Sequence, residues 1–194
     1  MLLNRQFAEK YYTWLDYKEL PSDVSYELHD GVFYLMNSPK GTHQRILASV
    51  SRQLENYLEG KKCESFVDLD TRLAPKEDGK DSRVYRPDIL VICDEDKYVD
   101  ERIEGAPDLI IEIWSPSTGG VDLLTKKYAY EEAGVREYWV VRDIYKIYQY
   151  LPDEKGEYEE FIHTAKSDIL DVPVHIWNND FSIKLGKYLL PFQK

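Results

Sequence analysis

The stretch "PDLIIEIWSPSTGGVDLLTKKYAYEEAGVREYWVV", residues 107–141, decides how the rest of the chain is read. It opens on an apolar run, passes through turn residues, continues with helix formers closed by Gly134, and ends in a second apolar run. Such nearly continuous runs are strands buried on both faces, which helices normally cover. Ser115 to Thr118 offer turn and capping hydroxyls, "VDLLTKKYAYEEAGV" reads as a helix, and Gly134 suits the position just past its last turn. Strand, helix and strand with short joints specify a right-handed crossover and a parallel pair.

One residue breaks the apolar run. Burying a lone carboxylate costs several kcal/mol unless it is paired or binds a cation, so Glu112 needs a partner. Side chains alternate along a strand, which puts Asp108, Ile110, Glu112 and Trp114 on one face and Leu109, Ile111 and Ile113 on the other. The partner is either a basic residue in a structural ion pair, with Arg86 and Lys126 as candidates, or a metal ion. A second acid stands in an equivalent context: Asp88 in "YRPDILVIC", just before another apolar run. By itself Asp88 after Pro87 reads equally as a turn residue, and Lys126 by itself as a solvent-facing lysine. Together, two carboxylates from neighbouring strands make a site for a hard divalent cation, Mg²⁺ first of all, which prefers oxygen ligands. Lys126, on the helix that follows Glu112, would orient a phosphate and a water there. Asp108, four residues before Glu112, lies about 13 Å away at strand rise, too far to share one ion.

Outward from this segment, "FAEKYYTWLDYKEL" (7–20) predicts a short amphipathic helix stopped by Pro21, and "SYELHDGVFYLMN" (25–37) a hairpin turning at Asp30-Gly31. In "THQRILASVSRQLENYLEG" (42–60), Ile46, Leu47, Val50, Leu54, Tyr57 and Leu58 recur at helical spacing, with Thr42 as N-cap and Gly60 as stop. "CESFVDLDTRLAP" is strand-like, "KIYQYLPDEKGEYEEF" reads as a hairpin, and "VPVHIW" and "FSIKL" are β-prone fragments. The fold class is α/β or α+β: a mixed central sheet with a long helix near the start and one crossover helix. A single domain over residues 1–194 is expected.

A formal net charge of -11 and a pI near 4.9 make the global field repel polyanions, so any nucleic-acid role must rest on a local site. The acidic stretches 93–104 and 151–160 read as solvated loops. Cys63 and Cys93 are too few for a disulfide framework and lack the spacing of a zinc site, which predicts a reduced, cytoplasmic setting in which neither carries chemistry. No segment has the apolar length of a signal peptide core or of a membrane span. The 16 tyrosines are spread along the chain rather than grouped as a stacking platform.

The order of "YELHDG", "HQRILASVSRQLENYL", "RPDILVICD", "GAPDLIIEIWSPST" and "DLLTKKYAYEEAGVREYWVV" resembles the Uma-two family of restriction-endonuclease-like proteins, from about Tyr12 to the strand near Ile183. That family is placed in the PD-(D/E)XK nuclease superfamily, and the resemblance implies a mixed sheet flanked by helices. It makes Asp88 the acid of the "PD" motif and Glu112 the acid of the (D/E)XK motif, both metal ligands, with the backbone carbonyl of Ile113 available to the same Mg²⁺ or Mn²⁺. Trp114 stands where the superfamily has its lysine. The resemblance implies that Lys126 supplies it from the following helix, since Asp122, Lys126, Tyr130, Gly134 and Val135 meet the family's spacing, with Lys127 as the alternative. Glu27 matches as a third carboxylate. His43 matches as a residue facing the site, while its place on the stripe of Leu47, Val50 and Leu54 reads equally as a core histidine. The implied function is metal-dependent hydrolysis of nucleic-acid phosphodiesters, DNA above all, by an enzyme that would gain from being a homodimer. The alternative is a non-catalytic binding or regulatory module that keeps the nuclease fold and metal site.

Overall fold

The computed structural model of the chain describes residues 10–21, 23–114, 119–165 and 168–186. In chain order it contains α1 (Trp14–Tyr17), β1 (Tyr26–His29), β2 (Val32–Leu35), α2 (Gly41–Leu58), β3 (Glu64–Val67), β4 (Thr71–Arg72), β5 (Val84–Tyr85) and β6 (Ile89–Ile92). There follow β7 (Tyr98–Val99), β8 (Arg102–Glu104), β9 (Leu109–Ile113), α3 (Gly119–Ala133), β10 (Glu137–Asp143), β11 (Lys146–Pro152), β12 (Tyr158–Thr164), β13 (Ile169–Pro173) and β14 (Ser182–Gly186).

The central sheet runs β12-β11-β10-β9-β6-β3. Its heart is the expected pair: β9 and β10 are parallel, with Leu109 opposite Glu137 and Ile113 opposite Val141, joined by α3. Gly134 ends that helix at φ +83°, a conformation that favours glycine. The remaining pairs are antiparallel, so the sheet is mixed as the sequence predicts. Every residue of β6 and β9 is buried.

Each face of this sheet has its own core. On one, Ile46, Val50, Leu54 and Leu58 of α2 pack on Ile89, Val91, Leu109, Ile111 and Val141, joined by Leu170, Val172, Ile183 and Leu185 of the β13–β14 hairpin. On the other, Ala129 and Tyr130 of α3 pack on Leu90, Ile110, Tyr138 and Val140, with Tyr85 and Ile103 arriving from a second sheet. That second sheet, ordered β2-β1-β5-β4-β8-β7, contains the predicted hairpin, whereas its two-residue strands β4, β5 and β7 are too short for periodicity to register.

Several sequence expectations need correction. Helix α1 is a single turn within the predicted 7–20, of which residues 7–9 lie outside the described residues. The N-cap of α2 is Lys40, without a side-chain cap bond, and Thr42 falls inside the first turn; Gly60, at φ +72°, does follow the helix end. The acidic stretch 93–104 is not all loop, because β8 pairs with β4 and buries Ile103. Ser115 to Thr118 lie outside the described residues. Cys63 and Cys93 are joined in a disulfide. The antiparallel register of β3 and β6, with Glu64 opposite Ile92, brings them face to face one step beyond the ladder. The hairpin at Asp30-Gly31 is as predicted, with both residues at positive φ, and a Cβ on Gly31 would run into the ring of Tyr11.

Candidate active site

Extending the β6–β9 ladder by one step from Ile89 opposite Ile111 sets Asp88 across from Glu112. Directly opposed residues share a face of the sheet, so a single register brings the two expected carboxylates together. Asp88 stands one residue before β6, and its Oδ2 accepts a hydrogen bond from the backbone N–H of Ile113 at 2.7 Å. Ile113, expected to lend its carbonyl, thus also holds Asp88 through its amide.

Glu112 is 8 % exposed and is satisfied from α3. Lys126 Nζ donates to Glu112 Oε1 at 3.0 Å, and Tyr130, one turn later, donates its hydroxyl to the same oxygen at 2.8 Å. The i, i+4 spacing puts both donors on one face of the helix. Lys126 is buried as well, and it also donates to Glu27 Oε1 at 2.8 Å. Glu27 comes from β1 in the second sheet, where the backbone N–H of Arg86 and the ring of His29 complete its contacts at 2.9 and 2.8 Å. Lys127 points elsewhere, its ammonium lying 5.3 Å from the ring centroid of Tyr150. Arg86, considered as a partner of Glu112, instead directs its guanidinium to Asp68 at 3.1 Å.

His43, in the first turn of α2, closes the group: its Nε2 lies 3.0 Å from Asp88 Oδ2, and its buried Nδ1 has no hydrogen-bond partner among the described residues. It therefore faces the carboxylates rather than the apolar core. Asp108 is spent structurally, accepting from the backbone N–H of Cys93 and from Arg136 at 2.8 Å each.

The charge balance of the cluster is negative. Glu27 and Glu112 both hold Lys126, and Asp88 stands across from Glu112. Burial raises the pKa of Glu112 to about 7, with the charges of Asp88 and Glu27 adding to the rise and Lys126 opposing it. For Glu27 burial also acts upward, but Lys126 and His29 outweigh it and hold the carboxyl below the usual range. Burial alone would lower the pKa of His43; Asp88, with Glu112 behind it, turns the shift upward. Burial keeps the phenol of Tyr130 neutral, and therefore a donor.

Among the described residues no three His, Cys, Asp or Glu side chains are grouped to enclose a metal ion. Mg²⁺ keeps several waters and takes only one or two carboxylates beside substrate phosphate oxygens. Asp88 and Glu112, with net negative charge around them, fit such an ion.

These groups line a cleft of about 750 Å³ whose walls also include Tyr34, Met36, Asn37, Gln44 and Trp114. Sequence reading gave Tyr130 only as a member of the spacing pattern, without a role, and missed His29. Tyr130 stood in plain view at i+4 from Lys126. His29 stood two residues from Glu27 on the same strand face, a periodicity that applies equally to core positions.

Residues 8–176 match the model of the Uma2 family, described as "Putative restriction endonuclease". The fold is similar to the crystal structure of "a putative nuclease belonging to DUF820" from Anabaena variabilis, at 19 % sequence identity and a TM-score of 0.71, over 92 % of this chain and 99 % of that one. No protein of curated function matches the sequence.

Proposed function

The chain belongs to the Uma2 family of putative restriction endonucleases, and on that premise we propose that its cleft is the active site of a metal-dependent nuclease that hydrolyses phosphodiester bonds, DNA above all. The observation that carries this reading is the opposition of Asp88 and Glu112 at the ends of β6 and β9, with Lys126 donating into the same group. Asp88, Glu112 and the Ile113 carbonyl would hold Mg²⁺ or Mn²⁺. When bound, such an ion supplies Lewis-acid chemistry, lowering the pKa of a water and offsetting phosphate charge.

The remaining work falls to side chains of this protein. Lys126, held between Glu27 and Glu112, offers its ammonium to a phosphoryl oxygen as charge builds on it, the kind of fixed donor that stabilises a transition state. Glu27 acts through Lys126, Tyr130 through Glu112 and His43 through Asp88; they are positioning residues. Because Lys126 and Tyr130 both engage Oε1 of Glu112, they turn its Oε2 toward a ligand.

Purified protein should nick supercoiled plasmid, or cut single-stranded DNA or RNA, in Mg²⁺ or Mn²⁺ but not in EDTA. Glu112→Gln and Asp88→Asn should each lower the rate by at least about 100-fold, and unchanged cleavage in both variants would overturn the assignment. A second reading, a binding or regulatory module that retains the metal site without turnover, draws on Trp114 standing where the superfamily has its lysine and on an acidic surface without an evident DNA groove. Its signature is a melting shift with Mg²⁺ that Glu112→Gln abolishes, without product from any nucleic acid.

A further inference from the structure

Each of the two glutamates that grip Lys126 is accompanied by an aromatic ring in the cleft. In the β1–β2 hairpin, Glu27 is directly opposite Tyr34, so the two side chains share a face. Tyr34 is 50 % exposed, and its ring rests on His29 with centroids 4.6 Å apart. Trp114 follows directly after β9, two residues beyond Glu112, and is half-buried against the core cluster on that same face. The guanidinium of Arg142 covers the Trp114 ring 4.7 Å from its centroid, and Trp114 lines the cleft with Tyr34.

The cationic complement of the cleft is small. Carboxylates outnumber its two permanent cations, Arg86 and Lys126, and both of these are already engaged, by Asp68 and by the glutamates. A protein that grips duplex DNA does so mainly by neutralising many phosphates with lysine and arginine. This cleft lacks that equipment and offers ring faces instead. Paired, stacked bases inside a duplex do not present their faces to a side chain, whereas unpaired bases stack readily on aromatic rings.

We propose that the cleft takes single-stranded nucleic acid, with bases stacked on Tyr34 and Trp114 on either side of the Lys126 cluster, so that the phosphate between them meets Asp88 and Glu112. This rests on the nuclease reading for the chemistry, while the stacking itself does not depend on turnover. Asn37 and Gln44 in the same walls are neutral hydrogen-bonding groups suited to base edges.

Fluorescence anisotropy of a labelled oligothymidylate and of a duplex, in Ca²⁺ so that a divalent ion stands between the carboxylates and the phosphate, with gels showing that the oligonucleotides stay intact, tests it. The single strand should bind at least about tenfold more tightly than the duplex, and Tyr34→Ala and Trp114→Ala should each weaken it by roughly 5- to 100-fold. Tyr34→Phe keeps the ring and should bind as wild type does. Half-exposed Tyr34 can be truncated without emptying the core, and circular dichroism of the variant checks that it folds. A duplex bound as tightly as the single strand, or an unchanged affinity in Tyr34→Ala, overturns the inference even if plasmid nicking upholds the nuclease. Stacking on Tyr34 without cleavage of any substrate upholds the inference and removes the nuclease.

Discussion

Two glutamates share Lys126, and their surroundings push them in opposite directions. Glu27 has the lysine, the Arg86 amide and His29 as donors; Glu112 has the lysine and Tyr130 but faces the charge of Asp88. The carboxyl of Glu112 rises from 4.5 to about 7 on folding. Across that interval the unfolded chain loses a proton that the folded chain keeps, so the Glu112 contribution to stability falls as pH rises and stays low above it. In metal-free buffer at about pH 8, Glu112→Gln, which keeps an acceptor for Lys126 and Tyr130, should therefore be more stable than wild type by on the order of 1–3 kcal/mol. The gap should close as pH falls toward the ordinary carboxyl range, and Mg²⁺ should reverse the order. Glu27 has the opposite sign: its carboxyl is lowered, so its stabilisation is present above the unfolded pKa and is lost as pH falls through the folded one. Glu27→Gln should then be destabilised at neutral pH by a similar amount, and urea titrations of both variants at several pH values read the two signs directly. Tyr130→Phe removes one of the two donors to Glu112 and should cost about 1–2 kcal/mol in the same titrations.

At the scale of elements, the site is the meeting of β6, β9 and α3, and it was legible because each of these announces itself. The apolar runs could only be buried strands, Gly134 closes the helix between β9 and β10, and an acid inside such a run demands a partner. What was illegible belongs to strands too short for periodicity to register. β4, β5 and β7 have two residues each, and their sheet delivers Glu27 and Tyr34 to the cleft. Cys63 and Cys93 were illegible for a related reason: 30 residues apart, they meet only through the β3–β6 register. Closing a loop of that length removes about 3–4 kcal/mol of unfolded-chain freedom on the chain-entropy account. Dithiothreitol, or Cys63→Ser, should lower the melting temperature by roughly 5–10 °C, while nicking activity stays as it was, since the bridge lies at the end of β6 remote from Asp88. Equal melting curves with and without reductant would show that the bridge contributes nothing to stability.

For the whole molecule the governing quantity is charge. At -11 the protein repels a polyanion at long range, so approach is slow at low salt and the screening that weakens most nucleic-acid binding here also weakens a repulsion. The cleft supplies Lys126 and Arg86, both already paired, so at most about two counterions should leave a single strand on binding. For single strands log K falls with log salt at about −0.7 per phosphate neutralised, which sets the slope for this protein near −1.4 or shallower, where a basic groove making many contacts would be several times steeper. Anisotropy titrations of the oligothymidylate across a salt series measure it. A steep slope would mean that cations outside the cleft track the backbone, and the binding face would then have to be sought around the lysines of the helices instead.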